Sequence, residues 1–231
     1  MLRIEHLHQY YDESHILRDV GLHVPHGRCT CLMGRNGVGK TTLLGCIMGL
    51  LRPASGRIDF RGTDLTRAAA EQRAGLGIGY VPQGRQIFSR LTVRENLEIG
   101  LATGRRKKKG IPEIVFELFP VLAEMQGRRG GDLSGGQQQQ LAIGRALVLE
   151  PELLILDEPT EGIQPNIVQE IGAIITRLID EMGMTVLLVE QKLRFVRAVA
   201  DRFAIMDRGS IVVHGGLEQL DDHLVRRYLT V

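Results

Sequence analysis

The sequence predicts an α/β fold with a mostly parallel core sheet flanked by helices on both faces. Short, continuously apolar runs occur at residues 29–33, 153–156 and 185–189, and such runs are typical of strands buried on both faces. Segments with apolar residues at helical spacing lie between these runs. A glycine-rich loop joins the first run to a helix, which gives a strand–loop–helix unit.

The N-terminal part of the chain has shorter strand signals separated by turns. We predict strands at residues 4–7, 20–24 and 58–60. The proline- and glycine-containing stretches 25–27 and 53–56 predict the turns between them.

The second half alternates helices and strands. A helical pattern covers residues 95–125, and Pro112 is expected to open one helix there, because its missing N–H costs nothing in a first turn. The apolar residues of that helix are Ile114, Val115, Leu118, Phe119 and Leu122. Further helices are predicted at residues 136–149 and from Pro165 to Gly183.

Composition favours a globular protein without a nucleic-acid partner. Of 231 residues, 43% are hydrophobic and 24% are charged, which is an ordinary balance for a globular chain. With a formal net charge of +2, the protein has no strong positive electrostatic potential that would attract nucleic acid or an anionic membrane. The basic run at residues 105–109 is expected to be a solvated loop, with a lipid or nucleic-acid contact as the alternative.

The sequence also predicts a cytosolic location. No stretch approaches the roughly 20 apolar residues of a membrane-spanning helix, and no apolar signal core follows the first residues. Cys29, Cys31 and Cys46 fit that compartment. Their spacing is unlike that of a zinc site or a redox pair, so we expect them to be core residues.

A loop after the first apolar run matches the phosphate-binding pattern G-x-x-x-x-G-K-[ST] in full. Its residues are Gly34, Arg35, Asn36, Gly37, Val38, Gly39, Lys40 and Thr41. Glycines let several backbone N–H groups converge on a phosphate, and the helix that follows adds its positive end. Lys40 offers a cation to the outer phosphates, and Thr41 offers a hydroxyl to Mg²⁺.

Two acids end the apolar strand at residues 153–156. Asp157 and Glu158 are expected at the edge of the sheet where open α/β folds bind ligands, because buried strands do not tolerate unpaired carboxylates. Successive residues project differently, so Asp157 can serve Mg²⁺ while Glu158 faces an attacking water. Together with the loop, this pair predicts a P-loop NTPase.

The run Leu133, Ser134, Gly135, Gly136 and Gln137 narrows the family, because it reproduces the LSGGQ signature. Here the sequence resembles the ABC transporter ATPases, and the resemblance covers nearly the whole chain. Ser134 is a good helix N-cap. The N-terminus of the helix after it is therefore a second place, besides the glycine loop, that is able to bind phosphate. The alternative is a plain capped helix. The resemblance implies that this end binds the γ-phosphate held by the loop of a partner chain.

The resemblance also implies the domain organisation. We expect one ATP-binding domain over residues 1–231, with an antiparallel β subdomain at its N-terminus. Residues 1–88 and 150–231 are expected to form the nucleotide-binding core with that subdomain. Residues 89–149 are expected to form an inserted helical subdomain that carries the signature.

Individual site residues follow from the same resemblance. Gln83 resembles the glutamine that contacts Mg²⁺ and water and senses the membrane partner, and Tyr11 resembles the aromatic residue that stacks on adenine. Tyr10, or a plain exposed tyrosine, is the alternative for that stacking role. The predicted catalytic residues are Glu158, Gln83 and Gln191, and the predicted Mg²⁺ ligands are Thr41, Gln83 and Asp157. The predicted ATP-binding residues are Tyr11, Gly34, Arg35, Asn36, Gly37, Val38, Gly39, Lys40, Thr41, Thr42, Ser134, Gly135, Gly136 and Gln137.

Two departures from the common family pattern point to a branch. Glutamine stands at position 191 instead of a switch histidine, so this side chain can donate a hydrogen bond but cannot titrate. The loop at 161–165 reads EGIQP instead of beginning with serine-alanine-leucine-aspartate. Together with VPQGR at 81–85, Ile87, Phe88 and Glu190, these features resemble the importer ATPases for branched-chain amino acids and for urea and short amides. The glutamine run at 137–140, followed by LAIGR at 141–145 and taken together with that loop, looks closest to the urea branch.

The resemblance implies partners as well. We expect transmembrane permease subunits, a second ATPase chain that is either a related chain or a second copy, and a periplasmic binding protein that acts indirectly. The chain is then expected to lie on the inner face of the membrane. A nucleic-acid ATPase is disfavoured because no coiled coil separates the phosphate loop from the signature. A regulator that does not hydrolyse ATP is disfavoured by Glu158.

Overall fold

The computed structural model describes residues 1–101 and 110–229, and they form two sheets with helices around them. The basic run at 105–109 lies outside the described residues. The strands of the N-terminal sheet are β1 (Leu2–Tyr11), β2 (Ser14–Val24), β4 (Ser55–Phe60) and β5 (Thr63–Asp64). This sheet is antiparallel and has the order β2-β1-β4-β5.

The strands of the second sheet are β3 (Cys29–Met33), β6 (Ile78–Val81), β7 (Leu153–Asp157), β8 (Thr185–Val189), β9 (Arg202–Asp207) and β10 (Ser210–Gly216). The sheet has the order β10-β9-β3-β8-β7-β6 and is parallel except at one edge, where β10 pairs antiparallel with β9. The mostly parallel core sheet is therefore confirmed. Every residue of β3, β7 and β8 is buried, as the continuous apolar runs predict.

Helices cover the parallel sheet and fill the space between the two sheets. They are α1 (Lys40–Met48), α2 (Ala70–Gly75), α3 (Val93–Leu101), α4 (Glu113–Leu118), α5 (Pro120–Glu124), α6 (Gly135–Leu147), α7 (Pro165–Asp180), α8 (Leu193–Val199) and α9 (Asp222–Tyr228). Within the described ranges, no helix has both the length and the apolar character needed to cross a membrane.

One predicted helix is wrong in its extent. The segment expected to form a single helix after Pro112 is two short helices, because Phe119 leaves helical geometry at φ −130° and ψ 74° and Pro120 begins α5. Proline disfavours helical geometry in the residue before it, which explains the break. Pro112 itself occupies the N-cap of α4 and not the first turn.

The parallel sheet separates two hydrophobic cores. Side chains alternate along its strands, so Leu154 and Leu156 face the core that contains α6 and α7, while Leu153 and Ile155 face the N-terminal sheet. Helix α1 belongs to the second core, and almost all of its residues are buried. The three cysteines are buried and free, as predicted.

A buried arginine ties the end of α1 to the chain that leads to β6. The Arg73 side chain is 1% exposed, and its guanidinium donates to the carbonyl oxygens of Cys46 (2.7 Å), Ile47 (2.6 Å), Leu65 (2.6 Å) and Ala68 (3.0 Å). The first two carbonyls belong to the last turn of α1, where a cation is favoured by the helix dipole. Burial lowers the pKa of Arg73. This guanidinium satisfies carbonyl groups at the C-terminal end of α1, opposite the glycine loop.

We expect Arg73→Met to lower the free energy of unfolding by about 3 kcal/mol, because the carbonyls lose their charged donor inside the protein. Urea denaturation followed by circular dichroism measures this change. Arg57→Met is the matched control, since Arg57 is exposed and its ion pair with Asp59 lies at the surface. A midpoint that shifts equally in both variants would contradict the stabilising role of Arg73.

Candidate functional site

The glycine loop between β3 and α1 depends on backbone conformations that favour glycine. Gly34, Gly37 and Gly39 have φ values of 149°, 79° and 112°. A Cβ atom at Gly34 would lie 2.4 Å from the carbonyl oxygen of Met206, so no larger residue fits without movement of the loop. The loop therefore runs close against β9, with its backbone free of side chains at this point.

Lys40 begins α1 and folds back over the loop. Its side chain is 6% exposed, and its ammonium donates to the carbonyl oxygens of Gly34 (2.7 Å) and Arg35 (3.0 Å). The ammonium also lies 3.9 Å from a carboxylate oxygen of Glu158. Burial lowers the pKa of Lys40, and the negative charges of Glu158 and Asp157 oppose that shift. The loop thus holds a cation close to the two acids that end β7.

Asp157 is the buried member of the acid pair. Asp157 is 4% exposed. Its pKa is raised to about 6, mainly by burial and secondly by the negative charge of Glu158. Lys40, a hydrogen bond from the hydroxyl of Tyr80 and one from the backbone N–H of Gln83 act in the opposite direction. Asp157 therefore lies beside the loop that carries Gln83, and a cation bound here would relieve the cost of its burial.

Glu158 leaves the strand direction. Its φ of 47° is unusual for a residue with a side chain, and its backbone N–H donates to the carbonyl oxygen of Val189 at 2.9 Å. Its carboxylate accepts hydrogen bonds from Gln191 Nε2 at 2.6 Å and from Gln83 Nε2 at 3.3 Å. The structure thus brings Lys40, Gln83, Asp157, Glu158 and Gln191 to one edge of the parallel sheet.

Gln191 connects Glu158 to the glycine loop. Its amide nitrogen donates to Glu158 Oε1 and to Asn36 Oδ1, at 2.6 Å and 2.8 Å. A glutamine amide has two hydrogens, so both are engaged in this conformation.

Sequence reasoning missed two residues that shape this edge. The buried carboxylate of Glu190 accepts hydrogen bonds from Thr160 and from the backbone N–H of Gln191 (2.6 Å), which fixes the turn after β8. The hydroxyl of Tyr80 donates a hydrogen bond to Asp157. The pKa of Tyr80 is raised, mainly by burial and secondly by the negative charge of Asp157. A polar residue within or just after an apolar strand was the available signal in both cases.

The signature residues form a separate element. Ser134 caps α6, with its hydroxyl accepting from the Gln137 N–H at 3.3 Å and the Gln137 side chain accepting from the Ser134 N–H at 2.9 Å. This reciprocal pair is a capping box. Gly136 packs against Ile167 of α7, where an added Cβ would lie 3.0 Å from the isoleucine side chain. The N-cap role of Ser134 is confirmed.

The two candidate aromatic residues differ in their surroundings. Tyr10 stacks on His15, with ring centroids 4.2 Å apart and planes 9° apart. Tyr11 is exposed at the end of β1. Because one face of Tyr10 is covered, the geometry favours Tyr11 as a platform for a base, which stays a prediction.

Comparison with known protein families matches residues 17–161 to the ABC transporter family. That span contains the glycine loop, the signature and the acid pair. The chain belongs to the ABC transporter family. It is an ATP-binding cassette that hydrolyses ATP, as the sequence predicts.

Two relatives named for branched-chain amino acid transport resemble this cassette over almost their full length. It is 43% identical over 215 residues to the high-affinity branched-chain amino acid transport ATP-binding protein BraG of Pseudomonas aeruginosa, covering 93% of this chain and 92% of that protein. It is 36% identical to the probable branched-chain amino acid transport ATP-binding protein LivF of Archaeoglobus fulgidus, covering 96% and 95%.

Solved cassettes share the fold. A nucleotide-free ATP-binding cassette from an ABC transporter superposes with a TM-score of 0.86 at 30% identity, covering 97% of both chains. The ADP conformation of MJ1267, another such cassette, gives a TM-score of 0.84 at 32% identity, covering 95% of this chain and 92% of that one. The predicted fold class is therefore confirmed.

We expect Gly34→Ala to weaken ATP binding by more than about tenfold, because the new methyl group forces the loop away from β9. Titration with a fluorescent ATP analogue measures the affinity, and thermal unfolding measures stability. Gly62→Ala is the matched control, since Gly62 also has a positive φ of 82° but open space around it. Equal ATP affinities in the two variants would count against the steric argument.

Proposed function

We propose that this cassette is the ATP-driven motor subunit of a membrane importer, acting on the inner face of the membrane. The observation that carries the proposal is that Lys40, Asp157 and Glu158 lie together at one edge of the sheet. The N-terminus of α6, capped by Ser134, forms a separate surface. The first group suits ATP cleavage, and the second suits a partner's nucleotide.

ATP would bind with its phosphates over the glycine loop and the N-terminus of α1. Lys40 would exchange the carbonyl oxygens of Gly34 and Arg35 for phosphate oxygens, and the loop N–H groups would supply the remaining donors. Thr42 lies in the same first turn. Tyr11 would stack on the adenine.

The residues around Asp157 fit Mg²⁺. A buried carboxylate, a threonine hydroxyl at position 41 and a glutamine carbonyl at position 83 are all hard oxygen ligands, the kind that Mg²⁺ prefers. When bound, Mg²⁺ would neutralise charge on the outer phosphates. Tyr80 and the Gln83 N–H would hold the Asp157 carboxylate in place.

Glu158 is proposed to orient and deprotonate the attacking water. The water oxygen would bond to the γ-phosphorus as the bond to the bridging oxygen breaks, and the proton would pass to Glu158. Gln191 and Gln83 would hold the carboxylate in position. Because a neutral amide does not titrate, Gln191 orients Glu158 without joining the proton transfer.

Two cassettes are proposed to close on two ATP molecules. Ser134, Gly135, Gly136 and Gln137 of one chain would bind the γ-phosphate on the loop of the other. ATP then joins the faces, and cleavage weakens the closed state, which gives a two-state element controlled by ligand. The second chain is either a related cassette or another copy, and permease subunits would receive the motion near Gln83.

Two solute classes are candidates. Branched-chain amino acids are supported by the relative BraG, which is 43% identical and is named for that transport. Urea or short amides are supported by the EGIQP loop at 161–165 and the glutamine run at 137–140. Neither solute would touch this chain, because the pathway lies in the permease.

We expect Glu158→Gln to bind ATP normally and to lose hydrolysis by about a hundredfold or more, because water loses its base. Single-turnover hydrolysis and ATP titration measure the two quantities. The ATP-bound variant should also persist as a dimer in size-exclusion chromatography. Equal hydrolysis by variant and wild type would contradict the motor proposal.

We expect Gln191→Ala to keep hydrolysis near the wild-type rate, because Gln83 and Lys40 still flank Glu158. The rate between pH 6 and 9 should also keep its wild-type shape, since no titrating group is removed. Near-complete loss of hydrolysis would show that the amide acts directly on the nucleotide.

Reconstitution with the permease subunits separates the solute classes. We expect a receptor loaded with leucine or valine to stimulate ATP hydrolysis if the branched-chain candidate is correct. Stimulation by a urea-loaded receptor alone would support the second candidate. Stimulation by neither would remove both solute classes without affecting the ATPase activity.

A further inference from the structure

We propose that Glu161 is a positioning residue that sets which end of the Gln83 amide faces the metal site. The proposal rests on the proposed role of Gln83 at Mg²⁺. Glu161 lies in the loop between β7 and α7 that departs from the common family pattern. Its carboxylate is one of two that the Gln83 side chain contacts, the other being that of Glu158.

The hydrogen-bond partners fix the orientation of the Gln83 amide. Its nitrogen lies 2.9 Å from Glu161 Oε2 and 3.3 Å from Glu158 Oε2. An ionised carboxylate only accepts hydrogen bonds, so the NH₂ group of the amide must face both acids. Its carbonyl oxygen then points elsewhere, and that oxygen is the atom able to bind a hard cation.

Glu161 makes the shorter of the two contacts and is itself held from two sides. Its backbone N–H donates to the carbonyl oxygen of Glu158 at 3.1 Å, which closes a turn. Its own carbonyl oxygen accepts from Arg85 Nη2 at 3.3 Å. The carboxylate is therefore presented to Gln83 by a backbone attached both to the acid pair and to the Gln83 loop.

The backbone of Gln83 is held at Asp157, the proposed Mg²⁺ ligand, because the Gln83 N–H donates a hydrogen bond to the Asp157 carboxylate. This anchor fixes the backbone of Gln83, and the contacts of its amide nitrogen with Glu161 and Glu158 then set the orientation of the exposed side chain. A turn of half a revolution about the last side-chain bond exchanges the oxygen and the nitrogen. The charged partner at Glu161 disfavours the exchanged orientation, in which two oxygens would face each other.

The first test measures metal binding without turnover. Mn²⁺ replaces Mg²⁺, a non-hydrolysable ATP analogue is present at saturation, and the electron paramagnetic resonance signal of free Mn²⁺ gives the affinity. We expect Glu161→Ala to weaken Mn²⁺ binding about fivefold. Glu161→Gln has the same reach but can either accept or donate, so it allows both orientations of the Gln83 amide and should recover at most part of the affinity. Glu124→Ala, at an exposed glutamate at the end of α5, is the control and should match wild type.

The second test asks whether Glu161 acts through Gln83. Gln83→Ala and the double variant Gln83→Ala/Glu161→Ala complete a double-mutant cycle. We expect the double variant to bind Mn²⁺ as weakly as Gln83→Ala and no more weakly. The concentration of Mg²⁺ for half-maximal hydrolysis should rise in Glu161→Ala while the KM for ATP at saturating Mg²⁺ stays unchanged.

The outcomes separate the two proposals. Wild-type Mn²⁺ affinity in Gln83→Ala would overturn the role of Gln83 at the metal and this inference with it. A weakened Gln83→Ala with an unchanged Glu161→Ala would overturn this inference alone. Additive losses in the double variant would also overturn it, because Glu161 would then act independently of Gln83.

Discussion

The enclosure of α1 between the two sheets is the constraint on which the site depends. Almost every residue of this helix is buried, so its N-terminus cannot shift without disturbing the core around it. Before the helix, Gly34 of the glycine loop packs against the backbone of β9. At the C-terminal end of the helix, Arg73 donates hydrogen bonds to carbonyl oxygens of the last turn. Lys40 is thereby fixed beside Glu158, and the donors of the loop are positioned before any nucleotide arrives.

The sequence predicted the parts of the fold that depend on local pattern. Continuous apolar runs predicted β3, β7 and β8, and Ser134 as an N-cap predicted the start of α6. The break at Phe119 was missed because the apolar spacing continues across it, although Pro120 was a visible signal. The full lengths of β1 and β2 were missed because their pairing shifts register at bulges, which interrupts simple alternation.

The candidate site was predictable at the level of residues but not of hydrogen bonds. Motif spacing identified Lys40, Asp157 and Glu158, and parallel strands necessarily bring their carboxyl ends to one edge. Glu190 was missed because an acid just after an apolar strand signals only that it needs a partner, and the fold alone shows that the partner is the turn beside it. The partners of Gln191 depend on the distance between two loops far apart in sequence, which no local pattern encodes.

Arg85 connects the loop beside the acid pair to the start of α6. Its guanidinium lies 3.3 Å from the carbonyl oxygen of Glu161 and 3.5 Å from the side-chain oxygen of Gln138 in α6. An added Cβ at Gly135 would lie 3.2 Å from the same guanidinium, so the signature also packs closely on it. One side chain thus contacts both the loop beside the acid pair and the start of α6. A movement of the Gln83 loop that displaced Arg85 would therefore change its contacts with the start of α6.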